Sequence, residues 1–207
     1  MKILVISPHT DDAELGTGGT INKFINQGDD LYWIVLSIAE ESVIGNRPRN
    51  IHKTEFLNVI KLINFSKDQY NIFNFKVRNF DLSRQNILDI FVEINNNFKP
   101  DLVIGPSIHD YHQDHQITAN EMIRAFKKDS SIISYELPWN HIQFNTQFFC
   151  KLNPNDIDMK IEMLSNYVSQ SSRNYFDAEY IRGLARVRGT QCNSMYAESF
   201  EVLRWVI

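Results

Sequence analysis

Two short stretches concentrate the residue types able to do acid–base and metal chemistry. The first, Ser7-Pro8-His9-Thr10-Asp11-Asp12-Ala13-Glu14, sets one imidazole and three carboxylates within six residues. Carboxylates this crowded repel and are driven toward protonation, a balance that a divalent cation reverses. Helix capping accounts for Asp12 or Glu14 in a first turn, but not for His9. The second stretch, His109-Asp110-Tyr111-His112-Gln113-Asp114-His115, holds three of the six histidines of the chain in seven residues. A lone histidine is more often structural than a ligand, whereas three on one loop read as a site. Two imidazoles and one carboxylate are a well-used catalytic zinc set, with a fourth position left for water. Nitrogen and oxygen donors also suit iron, manganese or cobalt. Once three ligands are chosen, at least one carboxylate and one or two histidines remain for proton transfer and charge stabilisation.

The surrounding pattern places both clusters at strand ends. Ile3–Ile6 is a short continuous apolar run, suited to a strand covered on both faces, and the first cluster follows it directly. The Gly18-Gly19-Thr20 segment then leads into Ile21, Phe24 and Ile25 at helical spacing, with Gly28 as a stop. Leu31–Leu36 is a second buried run, and residues 39–50 form a loop rich in charge and turn formers, expected near the site. Apolar stripes at Phe56–Ile63 and Ile87–Ile94 predict helices on either side of a weak strand near 71–75. Lys99-Pro100-Asp101 precedes the strand Leu102–Gly105, which opens onto the second cluster and a helix carrying Ile117, Met122, Ile123 and Phe126. Further strands are expected at 132–137 and 148–152, mainly helical chain at 154–190, and a strand or short helix at 198–207. Strands alternating with helices predict an α/β domain on a mostly parallel sheet, as one domain over 1–207. In such sheets ligands sit beyond the carboxyl ends of the strands; if strand order reverses between the first strand and Leu102–Gly105, the two clusters face each other.

Bulk properties narrow the classes. The 207 residues are 43% hydrophobic and carry a net charge of −4, enough for one sizeable core and without a basic field to gather nucleic acid. The four-residue apolar start is too short for a signal-peptide core or a membrane span. Cys150 and Cys192 make no disulfide framework or metal knuckle, which fits a cytoplasmic location.

The pattern His-x-Asp-Asp-x-Glu after the first strand, with His-x-Asp-His after a later one, resembles the LmbE-like or PIG-L-like zinc deacetylases, which include N-acetylglucosaminyl deacetylases. The likeness extends to Gly18-Gly19-Thr20, Lys99-Pro100-Asp101-Leu102-Val103, Arg188-Gly189-Thr190-Gln191 and Tyr196-Ala197-Glu198-Ser199-Phe200. It implies a Rossmann-like three-layer fold with one zinc per chain on His9, Asp12 and His115, another divalent metal being compatible. It also implies Asp11 as the general base and His112 as an imidazolium donating to the oxyanion or the leaving amine, with Asp114 accepting the other ring proton of His112. The alternative for Asp114 is a helix N-cap, and Glu14 reads as a carboxylate fixing the loop. The implied reaction removes an acyl group, acetyl foremost, from the amide nitrogen of an N-acylated amino sugar or sugar conjugate. A small-molecule substrate is the expected partner, and a homo-oligomer is compatible with the sequence.

Departures from the family pattern bear on recognition. Thr10 and Gln113 stand in place of prolines often found in the two motifs, and His52 precedes Glu55 where the family commonly shows an arginine. Arg47, Arg49 and His52 are therefore the candidate substrate-binding residues, against the commoner reading of solvated loop arginines. Trp139, Tyr175, Phe176 and Tyr196 are suited either to stack on a sugar face or to fill the core. Two rivals remain. A metal-dependent phosphoesterase would also use His and Asp clusters, though usually more of them. A non-catalytic sugar- or nucleotide-binding module would use the early glycines, although Gly16-Thr17-Gly18-Gly19 lacks the dinucleotide spacing.

Overall fold

Strand β1 (Lys2–His9) is buried from Ile3 onward and pairs in parallel on both sides, with β2 (Asp30–Ser37) and with β4 (Leu102–Gly105). A strand so enclosed must be apolar on both faces, which is why its sequence is a continuous run. The computed structural model describes residues 1–206. Its seven-stranded sheet has the order β3-β2-β1-β4-β5-β7-β6, with β3 at Tyr70–Ile72, β5 at Ser131–Tyr135, β6 at Phe148–Leu152 and β7 at Tyr196–Arg204. All neighbouring pairs are parallel except those of β7, which runs antiparallel between β5 and β6. The chain thus winds outward in one direction from β1 and in the other from β4, so the strand order reverses between the two strands that carry the clusters.

Helices cover both faces. Ile3 and Val5 of β1 join a core with α1 (Asp12–Asn26), α2 (Ile51–Leu62), α5 (Pro154–Ser165) and α6 (Ala178–Gln191). Leu4 and Ile6 join another with α3 (Arg84–Phe98) and α4 (Gln113–Phe126). Between α5 and α6 the chain makes two 3-10 turns, Val168–Gln170 and Asn174–Phe176.

Helix α1 departs from expectation. It begins at Asp12, inside the first cluster, and the glycines lie within it on either side of a break at Thr17 (φ −147°). A Cβ on Gly16 would stand 2.4 Å from the Tyr135 ring, and one on Gly19 2.6 Å from Leu152. The glycines therefore let α1 press onto β5 and β6, and no phosphate loop is formed. The break frees the N–H groups of Gly19 and Thr20, which Glu198 of β7 accepts at 3.1 and 2.7 Å while pairing with buried Lys160 at 2.6 Å.

Candidate active site

The reversal between β1 and β4 opens the crevice into which both clusters project. His9 ends β1, Asp12 starts α1, and His115 lies in the first turn of α4. His9 Nδ1 and Asp12 Oδ2 are 3.1 Å apart, His115 Nε2 and Asp12 Oδ2 3.2 Å, and the two ring nitrogens 3.2 Å. Three donor atoms thus converge on one point. The free nitrogen of each imidazole is held by a buried carboxylate: Asp114 Oδ2 lies 3.0 Å from His9 Nε2, and Asp110 Oδ2 2.7 Å from His115 Nδ1. A ligating histidine is commonly oriented this way, its ring fixed and its other nitrogen made more basic. His112 stands beside them, with nitrogens of His9, His112 and His115 within 4.8 Å of one another.

The charges at this point favour a cation. Burial opposes charging His115, yet Asp12 and Asp110 prevail and raise its pKa to about 10. His9 is raised too, its contacts with Asp114 and Asp12 outweighing burial. Asp12 is lowered despite burial by His115 and His9. Asp11 behaves in the opposite way: burial and the neighbouring Asp12 raise its pKa, against Arg173, His9 and His52. Its carboxylate accepts no hydrogen bond among the described residues and lines the cleft.

One expected contact is corrected. The Asp114 carboxylate does not accept from His112; its oxygens take His9 Nε2 and the backbone N–H groups of Arg78 (2.6 Å) and Phe80 (3.4 Å), and His112 Nδ1 lies 4.0 Å away. His112 instead caps α4, its Nδ1 accepting the Asp114 N–H at 3.2 Å. A ring nitrogen that accepts carries no proton, so in this geometry the proton of a neutral His112 sits on Nε2. Burial and the neighbouring His115 and His9 lower its pKa to about 4. His109 leaves the cluster for Glu201, at 2.9 Å. Glu14 is fully buried, its pKa pushed well above the ordinary value by burial; Tyr167 Oη reaches both its carboxyl group, at 2.5 Å, and the Thr10 carbonyl, which fixes the first loop.

The cleft has a volume of about 180 Å³ and reaches from this centre to Ala39, Ser42, His52, Trp139, Gln170, Arg173 and Tyr175. His52 lines it as expected, held between the Ile38 carbonyl (3.1 Å) and Gln170 Nε2 (2.9 Å). Arg47 and Arg49 do not line it; Arg47 donates to the Ser169 carbonyl at 3.0 Å. Glu55, like His52, binds the 168–170 turn, accepting from Ser169 N at 2.7 Å and Oγ at 2.6 Å. Of the four aromatic candidates, Trp139 and Tyr175 form a stacked wall of the cleft, 3.9 Å between ring centroids and 7° from parallel, while Phe176 and Tyr196 pack on the core. Sequence reading missed Asp110, Gln170 and Arg173. Asp110 carried a signal, standing inside the second cluster; the other two carried none.

The sequence profile of the family described as GlcNAc-PI de-N-acetylase (PIG-L) matches residues 4–126, more than half of the chain and both clusters. The uncharacterised deacetylase YaiS of Escherichia coli K12 is 23% identical over 172 residues, 81% of this chain and 90% of that one. The fold is similar to that of N,N'-diacetylchitobiose deacetylase from Pyrococcus horikoshii (TM-score 0.79, 19% identity, 98% of this chain and 83% of that one). It is also similar to that of GalB, the 4-carboxy-2-hydroxymuconate hydratase from Pseudomonas putida KT2440 (TM-score 0.80, 17% identity, 100% and 97%). Likenesses at these identities establish the fold, which a deacetylase and a hydratase share. With the profile spanning β1 to α4, and so every residue that converges at the switch point, the chain belongs to the GlcNAc-PI de-N-acetylase (PIG-L) family.

Proposed function

We propose that the protein is a metal-dependent amide hydrolase that removes an acetyl or related acyl group from the nitrogen of an N-acylated amino sugar or sugar conjugate. The observation that carries this reading is the convergence of His9 Nδ1, Asp12 Oδ2 and His115 Nε2 within 3.2 Å of one another, beside the carboxylate of Asp11, which has no hydrogen-bond partner among the described residues. The donor set fits zinc: two imidazoles and one carboxylate, each ring braced by a buried aspartate, in a field that favours positive charge. His9, Asp12 and His115 would hold the ion, Asp12 being preferred to His112 because its oxygen stands at the point of convergence. A divalent ion bound there supplies Lewis acidity to the amide carbonyl and makes water more acidic.

The remaining steps belong to the side chains. Asp11 accepts the proton of the attacking water, and its raised pKa makes it a better base than an ordinary carboxylate. His112 offers Nε2–H to the oxygen that gains charge as the tetrahedral centre forms. Asp11 then passes its proton to the amide nitrogen as the C–N bond breaks, releasing the amine and a carboxylic acid whose proton the amine takes up, to give ammonium and carboxylate. The stacked Trp139–Tyr175 pair gives the cleft an aromatic wall against which a sugar can pack, a substrate class also suggested by the family description and by the chitobiose-deacetylase fold.

A second reading, hydration of a carbon–carbon double bond, is favoured by the likeness to the hydratase. The test is elemental analysis of purified protein, then amine release from a panel of N-acetylated sugars with and without chelator. One metal per chain with chelator-sensitive amine release supports hydrolysis. Metal-dependent loss of 4-carboxy-2-hydroxymuconate absorbance without amine release from any sugar would replace it. Two metals per chain would favour the phosphoesterase rival, for which the described residues offer donors at one point only.

A further inference from the structure

The carboxylate of Asp11 has no hydrogen-bond partner among the described residues, so its place is set by the backbone on either side of it. Two peptide planes flank its Cα. The following one is held by α1, where the Leu15 N–H donates to the Asp11 carbonyl at 3.0 Å. The preceding one belongs to Thr10, whose carbonyl is met by the phenol of Tyr167, a residue 157 positions away. Tyr167 is 1% exposed and does not line the cleft, so it is out of reach of a substrate there.

The same phenol oxygen lies 2.5 Å from Glu14 Oε1, and Glu14 is fully buried, its Oε2 without a hydrogen-bond partner among the described residues. A phenol has one proton to give, and a carbonyl can only accept. The phenol proton therefore goes to Thr10, and the proton between Glu14 and Tyr167 belongs to the carboxyl group, which donates to Tyr167 Oη. An ionised carboxylate with one oxygen unpaired at this depth would be costly, whereas a carboxylic acid that donates costs far less. The hydrogen bonds thus run in one direction, from Glu14 through Tyr167 to the peptide that carries Asp11.

We propose that Tyr167 is a positioning residue for Asp11: its phenol, held in turn by the Glu14 carboxyl group, fixes the Thr10–Asp11 peptide and so the point from which the Asp11 carboxylate takes the proton of water. The inference rests on the amide-hydrolase reading and gives a part in it to two buried groups that neither bind the metal nor reach the substrate. Rotation of this peptide swings the carboxylate, and misplacing a reacting group by about 1 Å costs on the order of a hundredfold in rate. His9 and Asp12 are held independently, the His9 N–H donating to Asp12 Oδ2 at 2.8 Å and Asp114 bracing the His9 ring. Loss of the phenol hydroxyl should therefore reach the base and leave the metal ligands in place.

The experiment measures kcat, KM and metal content for the metal-loaded wild type, Tyr167→Phe, Asp11→Asn and the double variant, using whichever N-acetylated sugar of the panel releases amine fastest. Tyr167→Phe keeps the ring and loses only the hydroxyl; kcat is expected to fall by about ten- to a hundredfold at unchanged KM and full metal content. On the Asp11→Asn background the same change should cost less than about twofold, because a residue that acts through Asp11 has nothing left to place. Glu14→Gln, whose amide N–H donates to the same phenol, should keep more of kcat than Glu14→Met, which offers no donor. Equal losses on both backgrounds, a loss through KM, loss of metal, or a lower melting temperature with kcat unchanged overturns the assignment and leaves Tyr167 a contact of the fold alone. Equal kcat in the two Glu14 variants overturns the part given to Glu14. Absence of amine release from every sugar by the wild type overturns the hydrolase reading instead. The positioning claim is then judged by crystal structures of the metal-loaded wild type and Tyr167→Phe: a displaced Asp11 carboxylate beside unmoved His9, Asp12 and His115 upholds it, and an unmoved Asp11 overturns it.

Discussion

The two sides of the cleft are built differently. The reactive side consists of the ends of β1 and β4 with the first turns of α1 and α4, and Asp110, Asp114 and His115 there are at most 1% exposed. The opposite side is the 3-10 chain between α5 and α6 together with the turn at Trp139; Arg173 is exposed and Gln170 and Tyr175 only half-buried. Groups that must converge within a few tenths of an ångström stand on elements locked into the sheet, whereas groups that only need to face a substrate stand on surface turns. Catalytic chemistry and recognition are thereby separable, and substitutions on the two sides should fail in different ways.

The sharpest contrast is expected from His115→Ala, which removes one of three converging donors; metal content should fall to background and turnover with it, and full zinc occupancy would break the ligand assignment. Asp11→Asn should keep its metal and lose about a thousandfold in kcat, since a carboxamide cannot accept the proton of water; near-normal turnover would remove Asp11 as the base. Asp114→Asn should weaken metal affinity by about 10- to 100-fold, read by competition with a chelator. On the other side, Trp139→Ala should raise KM by about tenfold with metal content unchanged; lost metal there would show that the two sides are not separable.

The smallest effect is a stability slope. Folded Glu14 holds its proton to higher pH than the unfolded chain does, so its contribution to stability is complete in acid, below its ordinary value, and is lost as pH rises toward the folded value. Glu14→Gln should flatten the fall of melting temperature above that ordinary value, by an amount on the order of a few degrees for a chain of this size. An unchanged slope would show that Glu14 is already ionised.

The pattern of what the sequence made legible follows the same division. β1, β4 and the residues converging between them could be read because a doubly covered strand must be an apolar run and because a metal centre draws its donors from a few neighbouring positions. The partner of Asp114 could not: His9 is 105 residues away, and only the adjacency of β1 and β4 joins them. Asp114→His112 was the natural local choice, and a long-range contact displaced it. Arg47 and Arg49 were conspicuous as charges near a site-facing loop, while Arg173 enters the cleft through the packing of Ser169 and Gln170 against Glu55 and His52. The glycines of α1 read as a loop because close approach of a helix to a sheet calls for the same residue as a tight turn does.

Asp114 also joins two events that need not have been joined. It braces His9 and at the same time receives the backbone N–H groups of Arg78 and Phe80, on a turn where Arg78 adopts φ +67°. A side chain at that φ is strained by about 1–2 kcal/mol, and the Asp114 carboxylate holds it there. Occupancy at His9 and order in the 78–80 turn therefore share one carboxylate, and reciprocity requires that each favour the other to the same extent. Loading the centre should slow amide exchange at Arg78 and Phe80, and any ligand that settles this turn from the cleft mouth will tighten the hold on the metal without touching it.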